Sequence, residues 1–168
     1  MDIIYTSFNE RSDRSIYIAK YFKSELTGRI LDVGCDKAVL KKLLPNVDYI
    51  GIDISGTPDI CINLEETERL PFNNAEFDTV LCSDVLEHLN NLHHIFNELV
   101  RVTKEYLIIS LPNCWQVARR PIERGRGSFS HYGLPGEAPL DRHKWFFSLS
   151  DADDFLTYQA RKHSLTIV

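Results

Sequence analysis

The sequence predicts an α/β fold in which a mostly parallel sheet carries helices on both faces, and three observations support it. Segments 30–33, 49–54, 77–82 and 106–111 are nearly continuous apolar runs, as parallel strands covered on both sides are. Between the last two, Leu92, Phe96, Leu99 and Val100 fall at offsets 0, 4, 7 and 8, the buried stripe of a crossover helix. At 168 residues the chain has the length of one ordinary domain, enough to bury a core without disulfides or a structural metal.

Each element follows in order. Residues 12–26 place Ile18, Ala19, Phe22 and Leu26 on one face of a leading amphipathic helix, with Gly28 as its stop. The strand at 30–33 comes next. Val39, Leu40, Leu43 and Leu44 then recur at helical spacing until Pro45 halts the helix. A second strand at 49–54 precedes a candidate third at 59–63, with only residues 55–58 between them. That gap is far shorter than the dozen or so residues of a helical crossover, so the third strand is expected to be short or irregular.

The fourth strand, the crossover helix and the fifth strand follow. Residues 112–139 are rich in Gly and Pro and read as a substrate-region insertion, about 113–145, within a single domain spanning 1–168. Ser150 with Asp153 resembles a capping box for a last helix whose apolar face is Ala152, Phe155, Leu156 and Ala160. A strand at 164–168 is expected to close the chain. It has no hairpin partner, which leaves an exposed edge through which two copies could pair. The Rossmann-like sheet is thus expected in reduced form, with a short or missing crossover helix at the third strand and a missing last strand.

Composition narrows the function classes. No apolar run approaches the roughly 20 residues of a membrane helix, and the N-terminus lacks the pattern of a secretory signal, so a cytoplasmic protein is expected. Cys35, Cys61, Cys82 and Cys114 form no C-x-x-C pair, which argues against a zinc knuckle or a redox pair. A net charge of −5 argues against nucleic acid as a partner.

The segment Ile30-Leu-Asp-Val-Gly-Cys-Asp-Lys-Ala38 lies where a strand hands over to a helix, the place where α/β sheets bind nucleotide-like ligands. A dinucleotide fingerprint wants further glycines where Asp36 and Ala38 stand, and Asp36 would repel a pyrophosphate. Asp53 ends the second strand 19 residues after Gly34, positioned to accept both hydroxyls of a ribose. The plainer reading of Asp36 is a helix N-cap, and that of Glu87 and His88 is capping and packing.

The runs LDVGC, GIDIS, NLEETERLPFNNAEFD, VLCSDVLEHL and YLIISLPN resemble the class I S-adenosylmethionine-dependent methyltransferases of type 11, over residues 30–113. A weaker echo stands in HKWFFSLSDADDFL. The resemblance implies S-adenosyl-L-methionine as cofactor. Asp32, Gly34, Cys35 and Asp36 would then cradle its methionine part, and Asp53 and Ile54 would meet the ribose. Asn63 and Leu64 would flank the adenine, with Asn63 standing where the family usually has an acid. Ser83 follows the fourth strand, near the meeting point of cofactor and substrate.

Methyl transfer needs an in-line approach to the sulfonium methyl, and a base only if the acceptor must lose a proton. His88, His131 and His143 are the candidates. Residues 115–144 hold six cationic and three anionic residues, a local +3 in an acidic chain. They read as a solvated loop, or as a lid over a small anionic acceptor in which Asn113, Arg119, Arg120 and Tyr132 contact substrate. Asp84, Glu87 and His88 with the distant His143 also resemble the metal site of small-RNA 2′-O-methyltransferases, but Asp84 is shorter than that pattern's first Glu. No metal is assigned from sequence. The alternative to an enzyme is a catalytically inactive binding or assembly module on the same fold, and NAD-linked redox chemistry is disfavoured by Asp36 and the missing glycines.

Overall fold

The computed structural model describes residue 8 and residues 10–128 and 131–168. Five strands, β1 (Arg29–Val33), β2 (Asp48–Asp53), β3 (Ile60–Cys61), β4 (Phe77–Ser83) and β5 (Thr103–Ser110), form one sheet in the order β3-β2-β1-β4-β5. All four pairings are parallel. The helices are α1 (Arg11–Tyr21), α2 (Val39–Leu43), α3 (Leu92–Val102), α4 (Cys114–Arg124) and α5 (Leu149–His163), with a short 3-10 turn at Leu86–His88.

Alternation along β1 distributes the core over two faces. Leu31 and Val33 join Ile52, Val80 and Cys82 under α3, whose Ile95, Leu99 and Val102 are fully buried. Each such side chain contributes about 1.5–3 kcal/mol relative to exposure. Ile30 points the other way and packs with Leu81, Tyr49, Ile18 of α1 and Leu40 of α2. Helices on both faces explain the apolar runs of the inner strands.

The chain winds outward from β1 through β2 to β3, then returns to place β4 on the other side of β1. The crevice of such a sheet opens beyond the strand ends at this reversal, between β1 and β4. Arg14 of α1 reaches that end of the sheet and pairs with Asp84 at 2.6 Å.

β3 is two residues long, and its register shows why no crossover helix is needed. It pairs only with the last residues of β2, Ile52 with Ile60 and Asp53 with Cys61, so the chain steps back by little more than one turn. Asp59 fixes that turn by accepting the Gly51 N–H at 2.9 Å and pairing with Lys41.

Four expectations are corrected. Residues 165–168 are not a strand: Ser164 takes a left-handed C-cap (φ 56°) and the chain beyond is irregular. The capping box of α5 lies two residues earlier than expected, with Ser148 Oγ accepting from the Asp151 N–H at 3.2 Å and Asp151 accepting from the Ser148 N–H at 2.7 Å. The insertion begins with a helix, α4, which contains Pro121 and stops at Gly125. Asp36 is not an N-cap: α2 starts from Ala38 in the left-handed region, with no side-chain cap. No helix is long and apolar enough to cross a membrane among the described residues.

Candidate cofactor and active site

The loop after β1 is held in a conformation that few side chains tolerate. Gly34 has φ +79°, and a Cβ there would stand 2.1 Å from Val85 Cγ2. Asp36 and Ala38 also take positive φ, 45° and 48°. The acid at the end of β2 holds this geometry: Asp53 accepts the Asp36 N–H at 2.8 Å through Oδ2 and the Ser55 N–H at 3.0 Å through Oδ1. The Asp36 carbonyl in turn accepts from the Thr57 N–H at 2.7 Å. Each carboxylate oxygen keeps a further acceptor site, so Asp53 can position the loops and still bind a diol.

The electrostatics of this strand end fit a cationic ligand. Asp32 is buried beneath the loop and accepts from Tyr49 Oη at 2.6 Å. Burial, together with repulsion from Asp53, pushes its carboxyl up to about 6 against the opposing hydrogen bond from Tyr49. Burial and the nearby Asp32, Asp53 and Asp59 push the Cys35 thiol up to about 12. A sulfonium and an ammonium would be stabilised in this negative field, and a pyrophosphate would be repelled. The residues present therefore fit S-adenosyl-L-methionine better than a dinucleotide.

Of the residues expected to flank the ribose and adenine, Leu64 is buried, and Ile54 stays 60 % exposed beside Asp53. Asn63 is already engaged, its Oδ1 accepting the Glu65 N–H at 3.1 Å. Ser83 meets Ser110 at 2.7 Å, and Ser110 Oγ donates to Asp84 at 2.6 Å, which ties β4 to β5 at the mouth of the crevice.

Distances among the histidines reveal a relation that sequence spacing hides. His88, His131 and His143 come together, with ring centroids 4.6 Å apart for His88 and His143 and 4.4 Å for the stacked His131 and His143. Burial holds the His88 and His143 imidazoles below their ordinary range, His143 at about 4, so both are neutral near pH 7. Glu87, expected to cap or pack, caps nothing and is 1 % exposed in the centre of this cluster. Burial, then repulsion from Asp84, raises its carboxyl to about 8. The sequence signal was present in the Glu-His pair and the distant His143. What it lacked was the fold of the insertion, which returns His143 to the β4 loop through Lys144 N–H and Trp145 N–H, both donating to the Glu87 carbonyl.

The expected substrate contacts separate. Tyr132 joins the cluster, donating to the Trp145 carbonyl at 2.8 Å and lying 3.2 Å from His143 Nδ1. Asn113 instead caps α4, accepting from the Gln116 N–H at 3.3 Å. Arg119 pairs with Glu123 at 3.0 Å on the exposed face of α4. The side chain of Arg120 lies outside the described atoms.

Comparison with known proteins agrees with the fold. Residues 31–109 match the model of a methyltransferase domain family. An uncharacterized protein of Methanocaldococcus jannaschii is 33% identical over 96 residues, covering 52% of this chain and 41% of its own. The chain thus spans about two fifths of that relative. A SAM dependent methyltransferase from Archaeoglobus fulgidus superposes with a TM-score of 0.59 at 18% identity, over 89% of this chain and 68% of that one. The magnesium protoporphyrin IX methyltransferase of Synechocystis PCC 6803, solved with bound SAH, gives 0.59 at 18% identity, over 89% and 72%. Residues 31–109 are therefore similar to a methyltransferase domain family, and the solved structures share the fold of the chain.

Proposed function

We propose that the chain transfers the methyl group of S-adenosyl-L-methionine to a small anionic acceptor held beyond the ends of β4 and β5. The observation that carries this reading is the negative field of Asp32 and Asp53 at the end of β1 and β2, raised around a loop that Gly34 lets pass close to Val85. When bound, the cofactor supplies an electrophilic methyl on a positively charged sulfur. The protein's part is to hold the cofactor through Asp32, the 34–38 loop and Asp53, and to present the acceptor in line.

Proton removal, where the acceptor needs it, falls to His131. Its Nδ1 faces the Asp141 carbonyl at 3.0 Å and the Asp141 carboxylate at 3.2 Å, which leaves Nε2 to accept a proton. The cationic excess of residues 115–144 supports an acceptor that carries a carboxylate or phosphate.

The test is S-adenosylhomocysteine formation against a panel of hydroxyl, amine and carboxylate metabolites. Turnover confined to anionic acceptors supports the reading. Cofactor binding without turnover on any class would favour a binding or assembly module instead.

A further inference from the structure

α4 carries more apolar surface than the fold covers. Cys114 and Ala118 are buried against the domain, whereas Trp115 and Ile122 stand 59 % and 61 % exposed. Seven residues make about two turns, so Trp115 and Ile122 share one flank of the helix beside its buried stripe. Phe146 extends that flank from the returning chain, exposed itself and with its ring centroid 6.3 Å from that of Trp115. Leu134 and Leu140 stand open on the loop in between. Single exposed apolar residues need no explanation, but a continuous apolar flank does.

The charge around this flank is one-sided. Arg119 follows Ile122 round the helix and is tied to Glu123 at 3.0 Å. Arg124 and Arg126 are exposed and make no ion pair among the described residues. With Gly127 they border an open hollow of about 630 Å³ at the end of the helix. Residues 115–144 carry a local +3 in a chain of net −5, so an anionic surface attracts this side of the molecule and repels the rest.

From this pairing of an apolar flank with exposed guanidiniums we propose that α4 and its C-terminal turn dock on the surface of an anionic lipid bilayer. Such a surface has the matching layers, acyl chains below and phosphate headgroups above. Trp115 is of the residue type that settles at that boundary, and Ile122 enters beside it. Arg124 and Arg126 then reach the headgroups, and the hollow they border gives a phosphate room.

Other occupants fit less well. A second copy paired about a two-fold axis would bring like-charged arginines together. A nucleic acid would meet the arginines but leave the aliphatic Ile122 without a partner. The contact lies on the bilayer; no helix among the described residues is long and apolar enough to cross one. α4 follows β5 directly, so the docked face flanks the mouth of the crevice.

Docking needs neither cofactor nor acceptor and is tested apart from methyl transfer. The purified full chain is sedimented with vesicles of equal parts phosphatidylglycerol and phosphatidylcholine, and with phosphatidylcholine alone. The wild type should prefer the mixed vesicles at least about 10-fold and lose that preference as salt rises to about 0.5 M. Tryptophan emission should shift to shorter wavelength on binding, and the shift should shrink in Trp115→Phe, since the Trp145 indole N–H is held by the Leu89 carbonyl. Ile122→Ser and the double variant Arg124→Gln/Arg126→Gln should each bind at least about 10-fold more weakly. Lys23→Gln, an exposed cation removed near the start of β1, should bind as the wild type does. Absence of wild-type binding to the mixed vesicles, or unchanged binding in folded Ile122→Ser, would overturn the proposal. So would self-association that Ile122→Ser abolishes, or tighter binding to a single-stranded RNA oligomer than to the vesicles.

Discussion

Asp53 accepts the backbone N–H of Asp36 at 2.8 Å, so the loop after β1 hangs from the acid that ends β2. The residue expected to hold the ribose is thereby also the residue that shapes the loop proposed to cradle the rest of the cofactor. Asp53→Ala should lower S-adenosylmethionine affinity at least about 10-fold and cost about 1–3 kcal/mol of stability through the freed amides. Calorimetry and urea unfolding check the two effects, and Asp53→Asn should keep more of the stability than of the affinity, since the charge-assisted part is lost.

Gly34→Ala is expected to destabilise through two causes. A left-handed residue with a Cβ costs about 1–2 kcal/mol, and the new Cβ would press on Val85 Cγ2. Val85→Ala in the same chain should relieve the second cause and leave the first. Denaturant unfolding of both single variants and the double variant separates them; simple additivity would contradict the contact.

Asp32 gives a pH dependence with a defined sign. Its carboxyl moves from an ordinary value of 3.8 up to about 6 in the fold, so the folded state holds the proton more tightly than the unfolded one. Stability is full below about pH 4 and falls as pH rises through about 6, by on the order of 3 kcal/mol. A cationic ligand prefers the ionised acid, so cofactor affinity should rise over the same interval. Asp32→Asn should flatten both trends, measured by melting and by calorimetry between pH 4 and 8 at about one-unit steps.

Glu98 anchors the LPF segment from α3. It accepts the Leu70 N–H at 2.8 Å and pairs with Arg101 at 2.7 Å, while Arg101 donates to the Leu70 and Phe72 carbonyls. Glu98→Ala should cost about 2–4 kcal/mol, because it strands a partly buried guanidinium as well as an amide. Equilibrium unfolding measures it, and a loss below about 0.5 kcal/mol would show the anchor to be unimportant.

Much of the fold was legible because its signals are local. Four apolar runs and one helical stripe set the strands and α3, and the short gap before Asp59 foretold a stunted β3. The turn at Gly34 and the end of β2 at Asp53 were legible for the same reason, since a strand end followed by a turn is a pattern of neighbours. The Glu87 cluster was legible only as a resemblance to a known motif and not from periodicity, because its geometry depends on where residues 131–145 return, a pairing across more than fifty positions. Asn113 and Asp36 misled in a different way. Both are capping residue types, yet Asn113 caps a helix that the Gly/Pro content masked, and Asp36 takes a left-handed turn that Asp tolerates better than most residues.

Calorimetry of the purified chain with S-adenosylmethionine, S-adenosylhomocysteine and NADH tests most directly whether the ends of β1 and β2 form a site for a cationic nucleoside cofactor. Saturable micromolar-range binding of the first two, weakened by Asp53→Ala, with none for NADH, is the expected result. NADH binding, or equal S-adenosylmethionine affinity in folded Asp53→Ala, would contradict it.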